Sequence, residues 1–133
     1  MANVDKTVTN IPLIRESGVT VTKVAFTSDT TAGDTETLNI TPTVPGNRMI
    51  LIINNVATDQ GSLTVNCAKG EYWFAKAMPT VTILQATSQA IVFQAAAHQD
   101  KDTDLIAFVV TPASTKKLVT NHAATWQCFQ MPD

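Results

Sequence analysis

The stretch HQDKDTD, residues 98–104, sets a histidine ahead of three aspartates at alternate positions, Asp100, Asp102 and Asp104. Carboxylates spaced in this way resemble the first half of a calcium loop, in which oxygens at alternate positions wrap a hard cation. The second half does not follow. The place that needs glycine is Leu105 and the place that needs a bidentate glutamate is Thr111. Leu105 also opens the aliphatic run LIAFVV, which belongs in a sheet and cannot curl round an ion. The reading is therefore a solvated hairpin tip between the strands AIVFQ and LIAFVV, with adventitious divalent binding as the alternative and no dedicated metal site.

Other arrangements of reactive residues are equally incomplete. His98 and His122 have no second Cys or His at ligand spacing, and Cys67 and Cys128 lie in no CxxC pattern. Both cysteines fall in alternating segments, LTVNC and ATWQCFQM, where each can point inward as a small hydrophobe. A disulfide between them requires adjacent strands. There is no G-x-S-x-G elbow and no glycine-rich phosphate loop, and nothing in the spacing of Glu36, Glu71 and the aspartates pairs two carboxylates across a cleft. The chain reads as a non-enzyme without a cofactor. The aromatic run Tyr72-Trp73-Phe74 is a different kind of candidate, because aromatics on an irregular loop can stack on sugar rings or anchor a protein interface. At least one of the three is core in any strand, since consecutive residues face opposite ways.

The frame that carries these residues reads as all-β. The chain has 133 residues, 44% hydrophobic and 15% charged, enough apolar material for one core in a single domain. About one residue in six is Thr, which suits a pleated, half-solvated surface and disfavours helix. A net charge of −2 with no basic run longer than Lys116-Lys117 argues against nucleic acid or an anionic membrane as partner. The apolar runs MILII and LIAFVV are too short to span a bilayer, and the start MANVDKTVTN lacks a secretory pattern, so synthesis and folding in a cytoplasm are expected.

Along the chain, residues 1–18 show no sustained period and read as an extended N-terminal arm, with Ile11, Leu13 and Ile14 available for contact. From residue 19 to 133 the pattern predicts one domain of eight or nine short strands. VTVTKVAFTS reads as a strand with a bulge, DTETLNITPT alternates, VPGN turns, and RMILIINN reads as a central strand buried on both faces. SLTVNC points Leu63, Val65 and Cys67 to one side. Residues 68–79 read as an irregular excursion. TVTILQ, SQAIVFQ, DLIAFVVT, KKLVT and TWQCFQMP complete the set. Short strands separated by polar turns predict a jelly-roll-like antiparallel β-sandwich.

Taken together, PGNRMILIINNVATDQGSLTVNCAKG, PTVTILQATSQAIVFQAAAHQDKDTDLIAFVV and ATWQCFQMP resemble a family of small bacteriophage head decoration (capsid auxiliary, or cement) proteins over residues 19–132. The EYWFAKAM loop is more aromatic than that pattern. The resemblance implies a non-enzymatic virion protein on the capsid surface, bridging copies of the major capsid protein and reinforcing the shell. It also implies a homo-oligomer, a trimer by analogy with other jelly rolls. Residues 1–18 are then the candidate arm that orders on the shell. The alternatives are a carbohydrate-binding module or a tail or baseplate module that uses Tyr72, Trp73 and Phe74.

Overall fold

A computed structural model of the chain describes residues 3–8, 11–13, 18–42, 48–67, 78–100, 102–103 and 105–131. The protein is all-β, with ten strands and one four-residue helical turn among the described residues. The strands are β1 (Asn3–Val8), β2 (Ile11–Pro12), β3 (Val24–Ala25), β4 (Thr35–Ile40), β5 (Arg48–Asn55), β6 (Leu63–Cys67), β7 (Val81–Ile83), β8 (Thr87–Gln94), β9 (Ile106–Thr111) and β10 (Thr125–Gln130). The turn, α1 (Ala95–His98), follows β8. One sheet has the order β1-β4-β9-β6-β7. The other has the order β2-β10-β5-β8, with β3 also on β10.

The period-2 pattern of the sequence supplies the inward rows of both sheets. Leu38 and Ile40 of β4, Ile106, Phe108 and Val110 of β9, and Leu63 and Val65 of β6 are buried from one side. Met49, Leu51 and Ile53 of β5, Ile91 and Phe93 of β8, and Trp126 and Cys128 of β10 meet them from the other, in one continuous cluster. Phe93 and Phe108 join the sheets edge to face with ring centroids 4.9 Å apart. Each such aliphatic or aromatic side chain stabilises the fold by about 1.5–3 kcal/mol through removal from water. Cys67 and Cys128 are both buried with no disulfide between them, and their strands belong to different sheets.

Five features differ from the sequence reading. The sheets are mixed rather than purely antiparallel, because β1 runs parallel to β4 and β2 parallel to β10. The N-terminal segment is extended, yet it is laid into the sandwich: β1 covers the edge of β4 over six residue pairs, and Val8 enters the core at 4% exposure. Backbone N–H and C=O groups along those edges would otherwise lack partners. Within 19–28 only Val24–Ala25 pairs in a sheet, because the N–H groups of Thr27 and Ser28 donate to the Glu36 carboxylate at 2.8 and 2.7 Å instead of to a strand. KKLVT is a tight turn. There Lys117 N–H donates to Asn121 Oδ1 at 2.8 Å, a local acceptor that competes with sheet pairing, and Leu118 is fully buried. Finally, β5 is fully buried on its inward face and less so on the other, where Ile50 and Ile52 are half-buried and only Asn54, at the strand's end, is buried.

The VPGN turn lies outside the described residues. Removing residues 1–8 strips a whole edge strand and one core side chain, so thermal unfolding of the shortened chain should show a clear drop in Tm, with ΔG lower by about 1–3 kcal/mol or more.

Candidate functional site

The connections between strands gather at two ends of the sandwich. At one end are the loops 26–34, 56–62, 84–86 and 112–124. At the other lie the strand ends Ile40, Arg48, Cys67, Val81, Gln94 and Ile106 that flank the remaining connections. The two ends have different chemistry.

The first end is locked by buried polar side chains. Glu36 alternates in phase with Leu38 and Ile40, so its carboxylate points inward and is fully buried. One oxygen, Oε1, accepts from Thr27 N–H at 2.8 Å, Thr27 Oγ1 at 3.1 Å and Ser28 N–H at 2.7 Å. It thereby holds the segment after β3 across the sandwich opening. Asp29 ties the same segment to the last loop, accepting from the Thr120 N–H at 3.0 Å and its hydroxyl at 2.6 Å; these bonds hold the Asp29 carboxyl below its ordinary value.

Asn55, at the end of β5, organises the other three loops. Its Nδ2 donates to Gly61 O at 3.0 Å and Ile83 O at 3.2 Å, which fixes the orientation of the amide. Its Oδ1 must then accept from His122 Nδ1, 3.1 Å away. His122 is therefore the Nδ1–H tautomer, and its Nε2 is a buried acceptor with no partner in the structure. Gly61 has φ +87°, a left-handed conformation that keeps its carbonyl on Asn55, and a Cβ there would lie 3.4 Å from Ala113 Cβ. This is structural chemistry rather than a reactive constellation. Burial also pushes the Cys67 and Cys128 thiols up to about 12, so neither offers a thiolate near neutral pH.

At the second end the chain leaves β8 for the stretch HQDKDTD. HQDKDTD is not a hairpin tip. It leads from β8 in one sheet to β9 in the other, because AIVFQ and LIAFVV are not hydrogen-bonded neighbours. His98 packs edge-on against Phe93 with centroids 6.3 Å apart. Asp102 N–H donates to Asp100 Oδ1 at 2.8 Å, and Asp100 N–H to Leu105 O at 2.9 Å, so one aspartate serves the turn itself. Among the described residues no three His, Cys, Asp or Glu side chains come together, and Asp104 lies outside them.

Of the interface candidates, Ile11 is half-buried in β2 opposite Phe129, and Leu13 is half-buried with its N–H on Gln130 O at 2.9 Å. Ile14, Tyr72, Trp73 and Phe74 lie outside the described residues. The topology still places the two ends of the aromatic excursion, Cys67 and Met78, at this end of the sandwich, where β2 also ends.

An apolar row escapes a reading strand by strand. The registers align Ile11, Phe129, Ile50 and Val92 across β2, β10, β5 and β8 on the outer face, with Ile52 and Ala90 in the next row. Val92 is 59% exposed. The signal for it is present in the sequence, since RMILIINN does not alternate, but an unbroken run also fits a strand covered on both faces.

No family model, curated protein or solved structure matches the chain. Among the described residues no helix is long and apolar enough to cross a membrane.

Two predictions test the locked end. Glu36→Ala leaves the Ser28 N–H without its acceptor and should cost about 1–3 kcal/mol in chemical denaturation. Burial, with a smaller contribution from Lys116, holds His122 below its ordinary value of 6.5, so the folded state favours the neutral ring. The stability this provides is complete above that value and is lost as pH falls toward and through the depressed value. Unfolding free energies measured from pH 8 to 5 should decline, and less steeply for His122→Gln.

Proposed function

We propose that this chain is a non-enzymatic structural protein of a bacteriophage virion, one that binds the outer capsid surface through the major capsid protein and stabilises the shell. The observation that carries the reading is the strand order. From β4 to β10 the chain changes sheets at β4 to β5, β5 to β6, β7 to β8, β8 to β9 and β9 to β10, staying in one sheet only between β6 and β7. With β3 as the first strand, β3-β10-β5-β8 facing β4-β9-β6-β7 supports reading the sandwich as an eight-stranded jelly roll, an architecture found in viral capsid as well as lectin domains. It agrees with the family that residues 19–132 resemble.

The role fits the rest of the molecule. A module exposed to mechanical load needs protected edges and tied loops; β1 covers the edge of β4, and Glu36 and Asn55 tie the loops. It also needs a contact surface. The outer face of β5 and β8 offers half-buried Ile50 and Ile52 beside exposed Ala90 and Val92, a composition suited to a protein partner. The N-terminal residues contribute less as a free arm than the sequence alone implies, because Asn3–Val8 is already paired within the chain. Many identical weak contacts on a shell add up by avidity, and a homo-oligomer belongs to the same reading.

Purified protein added to phage capsids that lack it should cosediment with them, appear at regular positions by electron microscopy and raise the temperature at which they break. Ile50→Ser with Ile52→Ser should weaken binding while keeping the protein folded. Copurification with tails or baseplates, or retention on a glycan that Trp73→Ala abolishes, would overturn the capsid assignment.

A further inference from the structure

The sandwich has four kinds of sheet edge, and three are protected against pairing with other chains. The edge strand β1 carries Asp5 and Lys6 in its six residues. The β10 edge on the same side is filled by two two-residue strands, β2 and β3, and β2 ends in Pro12. On the other side, β7 is only three residues long. Charge, proline and shortness are the ordinary devices that stop edge-to-edge association.

The fourth edge has none of them. β8, TSQAIVFQ, is eight residues long, and all eight pair with β5 in unbroken register with no bulge. It is the terminal strand of its sheet, and among the described residues no strand lies on its other side. Its outward side chains Ser88, Ala90, Val92 and Gln94 are exposed. Residues 77–99 contain no Asp, Glu, Lys or Arg, although the chain holds twenty such residues in 133, nine basic and eleven acidic. A straight, neutral edge of this length presents a row of backbone donors and acceptors with nothing to repel a strand.

We propose that β8 pairs antiparallel with β8 of a second copy of this chain, joining the two sheets β2-β10-β5-β8 into one continuous sheet. The occupant is a second copy for reasons of charge and symmetry. An uncharged strand is self-complementary in any antiparallel register, so no like charges face one another. A two-fold pairing also brings the same edge of both copies together and stops at a dimer. With the two-fold axis normal to the sheet, outer faces stay on the same side, so half-buried Ile50 and Ile52 and exposed Val92 of the two copies share one continuous face. Val92 then gains cross-strand contact in place of solvent. The inference rests on the edge strand and not on the capsid assignment, and it names a two-fold contact where the jelly-roll analogy suggests a trimer.

The test is the concentration dependence of the full chain's mass, measured by light scattering and sedimentation from micromolar to millimolar protein. A reversible monomer–dimer equilibrium is expected. Val92→Lys and Ala90→Lys, both at exposed outward positions, should each weaken it at least about tenfold, as like charges near a two-fold axis repel. Val21→Lys serves as the control: Val21 is 51% exposed and lies three residues before β3, which pairs β10 at the sheet edge away from β8, so a loss of dimer there would mean nonspecific apolar association and overturn the proposal. Amide exchange of the unmodified protein provides a readout that does not depend on the variants folding. Amides of residues 87–94 should gain protection as concentration rises. A monomer at every concentration, a trimer indifferent to Val92→Lys, or exchange in β8 independent of concentration would each overturn it.

Discussion

The fold depends on the burial of two facing apolar rows, and the clearest single expression of it is the edge-to-face contact of Phe93 with Phe108 at 4.9 Å. Phe93 closes β8 and Phe108 lies mid-way along β9, so the contact joins strands of opposite sheets. Everything else follows from the need to keep these rows dry. Strands must alternate inward and outward, the connections must pass from sheet to sheet over the ends, and the ends must be closed by polar groups that find partners without water.

That last requirement explains the two polar side chains placed on inward rows. Glu36 and Asn55 occupy positions where period 2 calls for an apolar residue. Burying them unpaired would cost several kcal/mol, but each meets backbone groups that strand pairing leaves free. Glu36 takes two N–H groups after β3, and Asn55 serves two carbonyls and a histidine ring. The result is one end tied by side chain to backbone bonds, opposite the end at which β6 and β8 finish.

Edges and faces then decide what the molecule can meet. The N-terminal strands close one side of the sandwich, while the β7 and β8 side is left with a charge-free stretch. The outer aliphatic row adds a second apolar surface next to that edge. Both arise from the same economy of charge in the chain, where Thr, Ser, Asn and Gln take the surface positions that Lys and Glu occupy elsewhere.

By itself the sequence determined what depends on short-range periodicity. Alternation in TETLNI and LTVNC identified those strands and their inward residues, because a side chain's face in a strand is fixed by its parity, while AIVFQ and IAFVVT were legible as strands from their apolar runs alone. It likewise established that HQDKDTD lacks half of a calcium loop. What it did not hold was any partnership across distance. Whether β1 would hang free or lie on β4, whether residues 98–104 would turn a hairpin or cross between sheets, and whether the outer face of β5 would be covered are questions of which strands become neighbours. KKLVT and VTVTKVAFTS differ for the same reason. Their backbone groups are taken by Asn121 and Glu36, acceptors that tertiary folding brings into reach in the case of Glu36 and that a local turn supplies in the case of Asn121. Strand propensity is local, while pairing is decided by the competition for hydrogen-bond partners in the folded chain.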